Sequence, residues 1–455
     1  MFQAIKSKKI EAIIDEIIDQ YMYARDLHRP WIIGFSGGKD STVLLTLVWI
    51  ALRRIRENHE APFQLKRPVY VVCNDTMVEN PIIANYVEGV LAQITESARD
   101  QNLPIIVKKT TPKLDETFWI NVIGKGYPVP NNSFRWCTDK LKIRPTGNFL
   151  LEQIDEKGEA IVLLGSRYDE SQTRERSIRK HEVTGSRLSK HQTTGNTYVY
   201  APIKELMLEE VWYIINVVPS PWGFDNSILF KIYADASADD YECPTVVTNK
   251  EHTSCGQSRF GCWTCTVVKS DKSMSALVNN GQQWMQPLMD FRNRMVEGRN
   301  ISENRLDTRR NGQGAVREDG TFFGNYTPLY RYQMLRDLLT IQKSMQKERP
   351  YLVLINNQEL IAIQVTWTRE GIFEYNVGNL YREIYNKEIE TNTIHALDAT
   401  ERRIVKEVCG DEPEYYGLID NLITLQKTKS LLISKYGLHN DVENRIETFV
   451  KEMEL

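Results

Sequence analysis

Between Trp31 and Val218 short apolar runs alternate with helical stretches, and that alternation restricts the chain to few architectures. Trp31–Phe35 (WIIGF), Pro68–Cys73 (PVYVVC), Pro104–Lys108 (PIIVK) and Ala160–Leu164 (AIVLL) read as buried strands, with Ser41–Arg56 and Pro81–Ala98 as helices between them. Strands joined through helices run parallel, so the pattern predicts an α/β fold: a parallel twisted sheet with helices on both faces. Ligands of such sheets bind outside the carboxyl ends of the strands. Ahead of the first strand, Ile10, Ile13, Ile14, Ile17, Ile18 and Tyr21 recur at helical spacing among charges, which predicts an amphipathic helix and not a signal peptide.

The 455 residues are enough for two or three domains, and 26% charged with 41% hydrophobic residues excludes a disordered or membrane-embedded chain. No run of eighteen apolar residues occurs, so no membrane span and a cytoplasmic location with reduced thiols are expected. Three regions follow: 1–230 for nucleotide binding, 231–345 with the cysteines and an arginine tract, and 346–455, mainly helical. Val183–Thr197 is polar and aperiodic and reads as a loop. Residues 231–325 read as loop-rich with short helices, Tyr330–Glu348 as a helix, Tyr351–Asn356 as a strand-like run, and the chain beyond Asp398 as mostly helical.

Ser36-Gly37-Gly38-Lys39-Asp40-Ser41 lies between the first predicted strand and the first long predicted helix. Two glycines permit a tight turn with outward N–H groups, and the helix start adds its positive end, so the loop forms an anion cradle. The Ser36 and Ser41 hydroxyls add donors and Lys39 a point charge. The Walker A pattern GxxxxGK[ST] is absent. SGGKDS resembles the signature of the N-type ATP pyrophosphatases. That resemblance implies the adenine nucleotide alpha hydrolase-like fold, ATP with Mg²⁺ as cofactors, and pyrophosphate held by Ser36 to Ser41. Three ordered segments resemble those of phosphoadenylyl-sulfate reductase relatives: Arg135-Trp136-Cys137-Thr138-Asp139-Lys140-Leu141-Lys142, Gly165 to Ser171 (GSRYDES), and Ala201-Pro202-Ile203 with Val211-Trp212. Arg167 follows a strand end and its fork suits phosphate oxygens. Asp75 ends the second strand, where it serves either as a turn cap or to orient a ribose, a metal or an attacking group. Lys39, Asp40, Asp75 and Cys137 are the catalytic candidates.

Of seven cysteines, Cys243, Cys255, Cys262 and Cys265 fall in one stretch, C-x11-C-x6-C-x2-C. Four thiolates suit zinc or an iron-sulfur cluster equally well. Cys73 and Cys409 read as core residues. Cys137 reads as a persulfide carrier, a cluster-proximal thiol or a packed residue, and neighbouring Arg135 and Lys140 are expected to favour its thiolate. The stretch from Cys255 through Cys262-Trp263-Thr264-Cys265 to Met274 resembles the DndC-type sulfurtransferases of bacterial DNA phosphorothioation, a phage-defence modification. With SGGKDS and RWCTDKLK the resemblance spans residues 30–340. It implies a [4Fe–4S] cluster on the four cysteines, ATP-driven activation of a DNA phosphate, a cysteine desulfurase as sulfur donor and partner subunits of a phosphorothioation complex. Cys409 stands in Val-Cys-Gly-Asp and not in the ECG-type segment of sulfate-reducing relatives, and Cys137-Thr138 replaces their Cys-Cys pair. A tRNA thiolase, a sulfonucleotide reductase, and a nucleotide-sensing scaffold with structural zinc are the alternatives.

Formal charge totals −3, yet Arg292 to Arg317 holds seven arginines against three carboxylates. Such a tract suits a DNA backbone. Arg135, Lys142, Arg174, Arg176, Arg292, Arg294, Arg309 and Arg310 are the DNA-binding candidates, the alternative being a solvated, paired surface.

Overall fold

The structure, a computed structural model, describes residues 7–23, 27–57, 64–191, 196–236 and 261–389, with isolated positions at 409, 415 and 419. In chain order the elements are α1 (Lys8–Met22), β1 (Trp31–Gly34), α2 (Lys39–Glu57), β2 (Val69–Asn74), α3 (Pro81–Asp100), β3 (Ile105–Thr110), α4 (Trp136–Thr138), α5 (Arg144–Lys157) and β4 (Ala160–Leu163). They continue with α6 (Gln172–His181), β5 (Leu188–Lys190), β6 (Thr197–Tyr200), α7 (Leu208–Val217), α8 (Asn226–Ala236), α9 (Lys272–Asn279) and α10 (Gln286–Gly298). The last are α11 (Pro328–Gln346), α12 (Asn357–Arg369) and α13 (Val377–Tyr385).

The strands form one six-stranded sheet in the order β3-β2-β1-β4-β6-β5. All pairings are parallel except β5 with β6, where Leu188 faces Tyr200. Alternate side chains enter two different cores, as the pleat requires. Trp31, Ile33, Val69, Val71, Ile161 and Leu163 join the core built with α1, α2, α3, α7 and α8. Ile32, Val72, Ala160 and Val162 pack with Phe149 and Leu150 of α5. Helices therefore cover both faces, as predicted.

Two expectations fail locally. Val183–Thr197 is not wholly irregular, because Leu188–Lys190 forms β5. Of this short outermost strand only Leu188 packs against the core, so its sequence carries no apolar alternation. Tyr351–Asn356 is not a strand. The Leu354 and Ile355 N–H groups both donate to the Gln342 side-chain oxygen, at 2.6 and 3.0 Å, and so have no strand partner.

The chain divides into two compact units, one of residues 1–112 and 131–292, the other of residues 113–130 and 293–455. In the second, Arg331 donates to the carbonyls of Ile123 and Gly124, and Trp367 to that of Ile123 at 2.9 Å, which ties the inserted segment to α11 and α12. Among the described residues no helix is long and apolar enough to cross a membrane. The helical expectation beyond Asp398 falls outside the described residues, as do Cys243 and Cys255.

Candidate nucleotide and thiol site

The loop between β1 and α2 turns at Gly37, whose φ is +72°. A Cβ there would lie 2.6 Å from Val87 Cγ2, so both conformation and space demand glycine. The loop's polar groups bond to one another. Gly38 N–H donates to Ser36 Oγ at 3.4 Å, Ser41 Oγ donates to the Gly38 carbonyl at 3.0 Å, and the two hydroxyl oxygens are 3.2 Å apart. Tyr233 of α8, which no motif identified, accepts the Lys39 N–H at 3.3 Å and lies beneath its ammonium, 5.0 Å from ring centroid to Nζ. Lys39 thus presents a positive charge at the helix start, with the Asp40 carboxylate 3.8 Å away.

Arg167, expected on phosphate, is engaged elsewhere. Only 2% exposed, it donates through Nε to Asp40 at 2.6 Å and through Nη1 to the Leu206 carbonyl at 3.0 Å. It fixes the Asp40 carboxylate and reaches the loop through it. A Cβ on Gly165 would come within 3.0 Å of the Asp40 carbonyl, so the chain after β4 can approach the loop this closely only with glycine there.

A pocket of about 320 Å³ opens at the carboxyl ends of β1, β2 and β4, lined by Gly34, Ser36, Asn74, Asp75, Glu79, Lys109, Lys142 and Leu164 among others. This is where a parallel sheet is expected to bind. Asp75 accepts the Met77 N–H at 2.7 Å as a turn cap, and it pairs at 3.1 Å with Lys109, which also bonds Glu88. Asn74 does something the sequence reading missed. Pro145 has no N–H to offer the carbonyl four residues back, that of Leu141, and Asn74 Nδ2 supplies the donor at 2.8 Å. The same stretch, Asp139–Ile143, is a π turn between α4 and α5. Such widened turns recur at functional sites, and this one carries Lys142 into the pocket lining.

The Cys262–Cys265 turn docks on the loop that follows β2. Asn80 N–H donates to the Gly261 carbonyl at 3.2 Å, Trp263 N–H to that of Val78 at 3.1 Å, and Cys265 N–H to that of Cys262 at 3.0 Å. Thr76 Oγ1 lies 3.2 Å from Cys262 Sγ. Burial pushes the Cys262 thiol up to about 12. Cys137, on α4, does not have the favoured thiolate expected of it. Burial raises its pKa and outweighs the pull of Lys142. Cys73 is buried in the core, as expected.

For an iron-sulfur cluster, two of the four expected sulfurs stand on one tight turn, which fits two corners of a thiolate set. Among the described residues no three His, Cys, Asp or Glu side chains converge on a metal position.

The basic candidates separate sharply. Arg292 is 0% exposed and donates to the carbonyls of Cys265 at 2.8 Å, Lys269 at 2.9 Å and Val268, so it clamps the cysteine turn and is withdrawn as a DNA contact. In the second unit Arg294 pairs with Asp337 at 3.3 Å, Arg310 with Glu370, and Arg309 stacks on Phe323 at 5.3 Å. In the first, Arg135 bonds Asn132 at 2.9 Å, Arg174 pairs with Glu170 at 3.3 Å, and Arg176 is exposed.

Residues 30–268 match the phosphoadenosine phosphosulfate reductase domain. An uncharacterized protein of Methanocaldococcus jannaschii is 28% identical over 180 residues, which are 40% of this chain and 29% of that protein, so the match spans under a third of that relative's length. Among solved structures, phosphoadenylyl-sulfate reductase from Candida auris is similar at 13% identity, over 49% of this chain and 91% of that one, with a TM-score of 0.29. FMN adenylyltransferase from Candida glabrata, with FMN and an ATP analogue, is similar at 15% identity, over 55% and 73%, with a TM-score of 0.29. With its family match covering more than half its length, the chain belongs to the phosphoadenosine phosphosulfate reductase domain family, as a nucleotide-binding domain of that kind.

Proposed function

We propose that this protein is an ATP-dependent sulfurtransferase that activates a DNA backbone phosphate by adenylation and replaces a non-bridging oxygen with sulfur. One observation carries the reading: the Cys262–Cys265 turn docks beside the end of β2, on the sheet edge where the phosphate loop and the pocket lie. Phosphate chemistry and sulfur chemistry share one edge.

The residues divide the work. The Ser36–Ser41 loop and Lys39 hold the β and γ phosphates, so that negative charge developing on pyrophosphate is met by N–H groups and an ammonium. Asp40, fixed by Arg167, keeps Lys39 oriented and is positioned beside any cation the triphosphate brings. A DNA phosphate oxygen attacks the α phosphorus, the bond to the bridging oxygen breaks, and pyrophosphate leaves. A persulfide sulfur from a desulfurase then attacks the activated DNA phosphorus and AMP departs with the oxygen. The DNA phosphorus is then joined to the carrier through P–S–S; one thiol of a dithiol supplied in trans attacks the carrier's sulfur, the electron pair of the broken S–S bond stays on the phosphorothioate sulfur, and the second thiol resolves the mixed disulfide, freeing the carrier thiol and leaving the dithiol oxidised. An iron-sulfur cluster on the cysteine segment, when bound, would supply electrons or a sulfur-binding iron.

The pocket favours ATP over a sulfonucleotide bearing an extra ribose phosphate. Asp75, Glu79 and Glu88 outnumber Lys109 and Lys142 along its wall, and Lys109 is already paired with two of them. A further phosphate would meet net negative charge.

Incubation with ATP labelled at the α phosphate and duplex DNA should pass the label to DNA-bound adenylate and AMP, with unlabelled pyrophosphate released. Nuclease digests of DNA from cells carrying the gene should contain phosphorothioate dinucleotides, lost in the Lys39→Ala variant. Release of ADP and phosphate, or sulfur found only in tRNA, refutes the proposal.

A further inference from the structure

We infer that the arm formed by α6 and β5 is the surface that grips the DNA phosphate backbone; this rests on the reading of DNA as substrate and names the contact that reading requires. Residues 172–191 hold six Lys and Arg against two Glu, in a chain with a net charge of −3. The excess is as pronounced as in the arginine tract, but the availability of the charges differs. In the tract Arg292 and Arg305 are buried on backbone carbonyls, Arg294 and Arg310 are paired with carboxylates, Arg299 donates to the Pro130 carbonyl, and Arg309 and Arg317 lie over the Phe323 ring. In the arm Arg174, Arg179 and Arg187 have partners in Glu170, Glu175 and Asp19. Arg176, Lys180 and Lys190 are exposed, and among the described residues no carboxylate lies within ion-pair reach of them.

The helix itself points to an external partner. α6 is ten residues long and none of its described side chains is buried, so no core face holds it in place. Arg176 and Lys180 are four residues apart, so two cations unpaired among the described residues share one strip. Like charges at this spacing destabilise an isolated helix. A polyanion laid along the strip removes that repulsion. Its spacing to the reacting centre is set by covalent structure: Ser171 caps α6 by accepting the Arg174 N–H at 3.2 Å, four residues after Arg167, which is bonded to Asp40 of the phosphate loop. A backbone held on the arm is therefore tethered to the edge where adenylation is proposed.

The test is a salt titration of binding to a fluorescent duplex DNA, comparing the full-length protein with the Arg176→Gln, Lys180→Gln, Lys190→Gln triple variant. Each phosphate contact contributes about 0.9 to the slope of log K against log salt, so losing three should reduce it by about 2–3 and weaken binding at low salt by roughly 10-fold or more. The Arg294→Gln, Arg310→Gln double variant, which removes tract cations already paired with Asp337 and Glu370, should stay within about 2-fold of wild type. A charge-preserving swap, Arg176→Lys with Lys180→Arg, should retain affinity, and thermal melting checks that the triple variant is folded. An unchanged slope in a folded triple variant, loss of binding in the double variant instead, or tighter binding of tRNA than of DNA overturns the inference. A protein that binds DNA through the arm but releases no pyrophosphate refutes the sulfurtransferase reading and leaves this one standing.

Discussion

Replacing Arg292 separates a structural arginine from a DNA-binding one. Its guanidinium satisfies the carbonyls of Cys265, Val268 and Lys269 at a position with 0% exposure. A hydrogen bond to a charged group contributes about 1.5–3 kcal/mol, and a buried acceptor left unpaired costs about 1–3 kcal/mol. Three carbonyls lose their donor together, but water can enter the space vacated, so Arg292→Ala should cost about 3–5 kcal/mol, near what breaking a buried ionic network costs. The loss falls first on the cysteine turn, because these carbonyls belong to that segment. If opening of the turn limits access to Cys262, its reaction with a thiol reagent should accelerate roughly 100-fold or more, since every 1.4 kcal/mol is about tenfold. Arg292→Lys keeps the charge but not the fork, and one ammonium cannot span three separated carbonyls. It should therefore resemble the alanine variant in urea denaturation and thiol labelling. Wild-type stability and labelling in both variants, with weakened DNA binding in alanine alone, would refute the clamp and return Arg292 to the surface.

Three other perturbations probe the site and the second unit. Gly37→Ala places a Cβ 2.6 Å from Val87 in a left-handed conformation, so it should cost about 1–3 kcal/mol and weaken nucleotide binding, read by calorimetry; unchanged affinity would dissociate this turn from the anion site. Arg167→Met strands the Asp40 carboxylate, 24% exposed on its side chain, and should cost roughly 3 kcal/mol, partly restored by adding Asp40→Asn; full additivity of the two single losses would show that the pair is not coupled. Burial raises the Glu359 carboxyl from 4.5 to about 7. The folded chain therefore holds a proton that the unfolded chain has already released, and stability should fall as pH climbs from about 4.5 through 7. Glu359→Gln should flatten that part of the melting-temperature profile; identical profiles would show that Glu359 does not titrate with the fold.

Where side chains meet a core, residue type alone was informative. The runs WIIGF, PVYVVC and AIVLL became β1, β2 and β4 because parallel strands are buried on both faces and need apolar residues throughout. β5 was invisible because a three-residue outer strand that lays only Leu188 against the core shows no apolar pattern. Gly37 of SGGKDS was legible for a related reason, since a positive φ excludes most residue types and leaves a mark on composition. Charge was the least legible property. Arg292 and Arg176 are the same letter in equally basic stretches, yet one is sealed against three carbonyls and the other faces solvent. The sign of a charge is written in the sequence; its availability depends on which carbonyls and carboxylates the fold leaves within reach. One clue was present and unused. Pro145 announces that the carbonyl of Leu141 lacks its helical donor, and a chain that buries such a carbonyl must find another. Asn74, at the end of β2, is that donor, so a proline four residues beyond RWCTDKL already implied that this helix is fastened to the sheet edge where the nucleotide pocket opens.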